Sequence, residues 1–406
     1  MIRKFSVLYV GHIALENVGR DGTPADERCY PNERLVQGMA MAEDVAHTMD
    51  DLGYDTLWMA EHHFQREGYE VIPNLILLGT YLATQTRRVK FGCAFNVTPA
   101  WHPIRLAEDY AMADYLSRGR VVFGVGRGYQ TREVETLGGP LLDTEANAAL
   151  FREQMEILFK AFNEDAWSHK GRFYTIPAEV PFRAYQPREI TVVPRPVNRP
   201  VEIWQAIASG KSIPFMVRHG IKGMVTMNGE VITRQVFGQY REEAAKIGRE
   251  LAPGEDLAWG GGLYMASTLD EAMRRVRPYH DERYKWFAPF GFVRYADERG
   301  RPWGTPGAPA GVPTIEEGVR QKAWLLGPPA QIVERLRELE SEYPGLEQII
   351  LHWPEGMSAD EWKTQLQQFA SEVMPAFQPV PIASAGGAML QPPHTLELGR
   401  KTAGRT

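Results

Sequence analysis

The stretch Tyr54-Asp-Thr-Leu-Trp-Met-Ala-Glu61-His62-His63-Phe64 is an apolar run that stops abruptly at a carboxylate and two adjacent imidazoles. It follows a helical pattern that closes on Gly53. A run of strand length without polar alternation suits a parallel strand covered on both faces. Polar groups at the C-terminal tip of such a strand fall where α/β folds place their sites. Consecutive residues of a strand point to opposite sides, so only one of His62 and His63 can readily face an interior.

Working outward, residues 5–10 read as a first strand and 11–31 as a polar loop able to fold over a barrel mouth. Residues 32–53 form a helical pattern, with Leu35, Met39, Ala42, Val45, Ala46 and Met49 at spacings of three and four. Further strands are expected at 89–97, 120–125, 201–209, 221–227, 257–266 and 346–352, with helices between them and helices also at 315–326 and 328–342. Eight strand–helix units assemble naturally into a closed parallel (β/α)8 TIM barrel, because each right-handed crossover lays its helix on the outside. The expected single domain spans 1–377, with insertions at about 167–200 and 278–313, both rich in proline and aromatic residues. Residues 378–406 carry no periodicity and read as a mobile tail. A doubly wound open sheet with a separate C-terminal domain is the alternative.

Composition narrows the function classes. A net charge of −6 with both signs interspersed gives no basic face, so small molecules rather than nucleic acid are the expected partners. No apolar run approaches the ~18–20 residues of a membrane span, and no membrane partner is expected. Cys29 and Cys93 make no disulfide framework, which suits a reducing compartment. The basic and apolar start of the chain mimics a short signal peptide but reads better as a strand, so a cytoplasmic location is expected.

Three features collect at strand tips. The first is Glu61-His62-His63, which could also supply a metal site with His102, although the spacing specifies none. The second is Gly124-x-Gly126-Arg127-Gly128-Tyr129, which fails the dinucleotide fingerprint because Tyr129 stands where its third glycine belongs. What remains is a flexible turn around Arg127 that suits close approach by an anion. The third is Ser209-Gly210-Lys211-Ser212, between a strand and its helix, where backbone N–H groups and hydroxyls can hold a phosphate. Gln205 rules out a full P-loop. In a barrel these tips share one rim.

Glu61-His62-His63-Phe64, His102-Pro-Ile-Arg105-Leu-Ala-Glu108-Asp109, Ser117-Arg-Gly119-Arg120 and Gly124-Val-Gly126-Arg127-Gly128, with Ser371-Glu-Val-Met-Pro375 late in the chain, occur in an order that resembles the bacterial luciferase-like, flavin-dependent monooxygenases. The resemblance implies a (β/α)8 barrel and reduced FMN, supplied by a separate flavin reductase, which reacts with O2 to a flavin hydroperoxide that oxygenates an organic substrate. It implies that His62 is catalytic, acting in acid–base exchange. Arg127, Gly128, Tyr129, Ser209, Gly210 and Ser212 would bind the cofactor, and a non-proline cis peptide at Ala94–Phe95 would lie under the flavin ring. Gly126 stands where the luciferases carry a cysteine, so control by a thiol is not available and room is left above the ring. The resemblance also implies a homodimer or higher homo-oligomer. The segment bearing Trp286, Phe287, Phe290, Phe292 and Trp303 would close over the site and favour an apolar substrate. Relatives of this superfamily use a deazaflavin for hydride transfer, and a catalytically silent flavin-binding subunit is the further alternative.

Overall fold

In the computed structural model, which describes residues 1–207 and 210–377, eight parallel strands follow one another around a ring. They are β1 (Lys4–Tyr9), β2 (Thr56–Met59), β3 (Lys90–Cys93), β4 (Val121–Gly126), β5 (Ile203–Ala206), β6 (Lys222–Thr226), β7 (Leu257–Met265) and β8 (Gln348–His352). Val7 of β1 lies opposite Leu57 of β2 on one side and Leu351 of β8 on the other, so the ring closes. The open-sheet alternative falls with that closure. The strand alternation explains the two cores. Leu8, Trp58, Trp204, Met224, Ala258 and Ile350 form one buried cluster that fills the lumen, with the Trp58 and Trp204 rings edge to face at 5.5 Å. Their neighbours Val7, Leu57, Phe91, Phe123, Ile349 and Leu351 turn outward into the layer beneath the helices.

That layer is covered by α1 (Gln37–Leu52), α2 (Leu75–Gln85), α3 (Pro103–Ser117), α4 (Thr144–Asn163), α5 (Ile213–Arg218), α6 (Glu230–Lys246), α7 (Leu269–Phe287), α8 (Pro329–Glu342) and α9 (Ala359–Glu372). Local chemistry sets several ends. Gly53 closes α1 at φ 82°, and the Asp143 carboxylate accepts the Glu145 and Ala146 N–H groups at the start of α4. No helix among the described residues is long and apolar enough to cross a membrane.

The structure departs from the sequence reading in three places. Strand three breaks after Cys93 at a cis Ala94–Phe95 bond and resumes as Asn96–Val97 beside β4. The helix expected at 315–326 stops at Arg320, and Trp324–Gly327 is a strand paired with the outer half of β7 from Gly262 onward. The reason is an open edge: β6 pairs with β7 only as far as Gly260, and a buried Trp-Leu-Leu run takes over where it leaves. Residues 278–287 are helix rather than loop. Val276, His280, Tyr284 and Phe287 form a buried stripe whose packing outweighs the hydrogen bond lost at Pro278. The 167–200 excursion contains a small hairpin of His169–Lys170 against Thr175–Ile176, anchored where Glu153 accepts the N–H groups of Arg172, Phe173 and Tyr174 at 2.9–3.0 Å. The tail at 378–406 lies outside the described residues.

Candidate active site

The tip of β2 splits as strand geometry requires. His62 turns to the barrel mouth, and His63 turns away so that its Nε2 meets Glu61 Oε1 at 3.0 Å. Glu61 also accepts the Trp101 indole N–H at 2.9 Å and the Val97 N–H at 3.2 Å, so its oxygens serve as supports. A metal site with His62 and His102 is not assembled: among the described residues no group of three ligating side chains comes together.

His62 stands between two buried carboxylates, with Nδ1 3.1 Å from Glu133 and Nε2 3.0 Å from Glu70 Oε1. Burial disfavours its charge, but Glu70 and Glu133 outweigh burial and raise its pKa to about 10. At neutral pH it is therefore an imidazolium. Glu70 is the hub of the cluster, accepting the Tyr129 hydroxyl at 2.7 Å, Gln130 at 2.7 Å, Gln65 at 2.9 Å and the Trp286 indole N–H at 3.0 Å. Burial opposes the Glu70 charge too, yet His62 and these donors hold its pKa below the usual carboxylate range. Burial and Glu70 together push the Tyr129 phenol well above its ordinary value, so it remains a donor.

Beside this cluster the rim encloses a cavity of about 810 Å³. Its floor is Leu8, Val10, Ala60 and Met224, and its wall at the tips of β3 and β4 is Ala94, Phe95 and Gly126. The room expected at Gly126 is small, since a Cβ there would come within 3.2 Å of Phe95 Cβ. Gly128 is obligatory in a stricter sense. Its φ is +77°, and a Cβ would fall 2.4 Å from Val134 and 2.9 Å from Val97. Of the residues expected to bind the cofactor, Arg127, Gly128, Tyr129 and Ser212 line the cavity. Gly210 does not line it: its Cα turns toward α6, where Gln239 Nε2 donates to the Gly210 carbonyl at 3.1 Å. Ser209 lies outside the described residues.

α7 roofs the cavity through Arg283 and Phe287, and the 11–31 loop packs over α7. Arg28 and Glu282 make a buried ion pair at 2.9 Å, to which Lys285 and the Gly19 N–H add contacts at 3.0 Å, with Tyr69 bonded to the same carboxylate. Phe287 and Phe292 reach the cavity, whereas Trp303 packs on Tyr295 outside its lining. Sequence reasoning missed Glu70, Glu133 and the cavity-lining Arg152, Arg283 and Arg294, and it quoted Lys211 without assigning it a role. Glu133 lies on the short helix Thr131–Val134 that directly follows the glycine turn already singled out. No comparable signal marks the others.

Residues 13–344 match the model of luciferase-like monooxygenases, and the chain belongs to that family. Over 351 residues it is 25% identical to the oxygenase component of the flavin-dependent trigonelline monooxygenase of Acinetobacter baylyi, covering 82% of this chain and 88% of that one. Among solved structures, the oxygenating constituent of 3,6-diketocamphane monooxygenase from the CAM plasmid of Pseudomonas putida, a type II Baeyer–Villiger monooxygenase in complex with FMN, aligns with a TM-score of 0.70. That alignment has 20% identity and covers 92% of this chain and 98% of that one. An F420-dependent secondary alcohol dehydrogenase aligns with a TM-score of 0.62 at 11% identity over 93% of this chain and all of that one. The two structures support the fold alone.

Proposed function

We propose that the protein is the oxygenase component of a two-component system that takes reduced FMN from a separate reductase and uses O2 to oxygenate an organic substrate. The observation that carries the reading is the rim itself, where His62 and Glu70, the Ala94–Phe95 wall and the Arg127–Ser212 end face a single cavity. The residues suit a flavin mononucleotide. Gln205 Oε1 and Asn228 Nδ2 are buried without hydrogen-bond partners among the described residues, and both side chains line the cavity, so a ring with a polar edge would satisfy them. Arg127, Arg152, Lys211 and Ser212 would hold its phosphate.

When bound, reduced flavin supplies two electrons to O2, one oxygen atom passing to the substrate and the other leaving as water. The chain's own part is positioning, exclusion of water and proton control. The apolar floor and the roof of α7 with the 11–31 loop exclude water. His62, expected to act in acid–base exchange, does so within a set: its Nε2 lies 3.0 Å from Glu70 Oε1 and 3.2 Å from the Tyr129 oxygen. A proton drawn from Tyr129 is thus replaced from His62. This set argues against a silent subunit.

The reading includes a homodimer through α2 and α3, which expose Leu77, Tyr81, Met112, Tyr115 and Leu116. Anaerobic titration with photoreduced FMN and with reduced F420, followed by mixing with O2, tests the function. Tight FMN binding and a protein-dependent change in the rate of flavin oxidation are expected. Preference for F420, or oxidation of FMN at the rate of free flavin, refutes it.

A further inference from the structure

We infer that the phosphate end of the cavity admits a flavin whose phosphate carries a further nucleotide, so that the protein binds FAD as well as FMN. The inference rests on the flavin reading, which sets the phosphate at the tips of β4 and β5. The two ends of the cavity differ in exposure. His62, Arg283, Phe287 and His352 line one end and are buried. Among the lining residues only Arg127, Thr144, Arg152 and Lys211 are exposed, and all four stand at the other end, on the turn after β4, on α4 and on the approach to α5. A phosphate held there is not closed in, and a group esterified to it runs into solvent.

The charge at this end exceeds what FMN needs. Arg127, Arg152 and Lys211 make no ion pair and no side-chain hydrogen bond among the described residues. The lining holds two carboxylates, and both are engaged elsewhere: Glu61 with Trp101, Val97 and His63, and Glu70 with His62, which it shares with Glu133. Of the acidic residues around α4, Asp143 accepts the Glu145 and Ala146 N–H groups and Glu135 accepts the Leu142 N–H at 2.6 Å. Glu145 and Glu156 form no salt bridge with any of the three cations among the described residues. A phosphomonoester carries about −1.5 to −2 at neutral pH, which two cations match. Arg127 and Arg152 suffice for it, and the Lys211 ammonium, a point charge on a flexible stem, is left over. In FAD a similar charge is divided between two adjacent phosphates, and the second has Lys211 to meet it. An adenosine outside the mouth clashes with nothing in the lining and gains little from it.

The test is calorimetric titration of the wild-type protein with oxidised FMN and oxidised FAD, followed by displacement of bound FMN with FAD. FAD should bind with an affinity within about tenfold of that of FMN and should displace it from a single site. Lys211→Gln should weaken FAD by about fivefold or more and FMN by less than about twofold, and Lys211→Arg should keep both affinities. FMN affinity serves as the check that each variant is folded. FAD weaker than FMN by more than about tenfold, FAD bound without displacing FMN, or equal losses of the two ligands in Lys211→Gln overturns the inference. Failure of the wild type to bind FMN would instead strike the functional reading beneath it.

Discussion

Glu133→Gln is the perturbation that isolates the electrostatics of His62. The wild-type pKa of about 10 lies 3.5 units above the ordinary 6.5, which corresponds to about 5 kcal/mol favouring the imidazolium. That is the surplus after burial has been overcome, so the gross attraction of Glu70 and Glu133 is larger still. If the two carboxylates share it about equally, removing one charge lowers the His62 pKa by at least about 2 units, and Glu70→Gln/Glu133→Gln brings it below 6.5. Glutamine at 133 still accepts the His63 N–H bond, seen at 2.9 Å, so the loop is not obviously unmoored. The assay is an NMR titration of 13Cε1-labelled histidine, with His62 assigned from His62→Gln. The sign for stability follows: a folded pKa above the unfolded one gives a contribution fully present below pH 6.5. That contribution is lost as pH rises toward about 10, at no more than about 1.4 kcal/mol per unit. A wild-type His62 that titrates near 6.5, or one unmoved by Glu133→Gln, refutes the reasoning.

Other consequences are as direct. Arg127→Ala and Arg152→Ala should each weaken FMN binding by about tenfold while leaving riboflavin affinity nearly unchanged, because only the phosphate loses a partner; equal losses for both ligands would count against it. Gly128→Ala forces a Cβ against Val134 and Val97 at positive φ and should cost about 2–4 kcal/mol in urea unfolding, a neutral outcome showing that the turn relaxes freely. Leu116→Asp on α3, where Leu116 is 58% exposed, should convert the proposed dimer to monomer by light scattering without changing circular dichroism, and an unchanged mass would place the interface elsewhere.

The barrel was legible because its signals are periodic and local. Apolar runs that end in glycine or a polar tip recur around the ring, and parallel strands buried on both faces announce themselves by continuous hydrophobicity. The errors fall where tertiary context decides. Trp324–Gly327 has the length and composition of a helix end, and only the edge that β6 leaves open on β7 makes it a strand. Pro278 marks a break by local rules, but a buried stripe that continues past it carries α7 down to Phe287, and that extension delivers Trp286 to Glu70 and Arg283 to the cavity. The pattern of such misreadings is physical: propensity is overridden where several side chains are buried together.

For the site, the sequence points to the rim and to His62 but not to the two carboxylates that bracket it. In the sequence His62 has Glu61 as its adjacent carboxylate. The fold gives Glu61 to His63 and brings in Glu70 and Glu133, which lie 8 and 71 residues away from His62. Long loops can deliver carboxylates from any distance, so no spacing rule could have chosen these two. What could be anticipated is that a buried histidine must be neutral or paired. Here pairing on both nitrogens turns the residue from a free base into a charge held in place. The proton that matters is therefore fixed by Glu70, which also accepts from Tyr129 and from Trp286 of α7. The seating of α7 at Trp286 and the protonation of His62 then depend on the same carboxylate, so a change in either must be felt by the other.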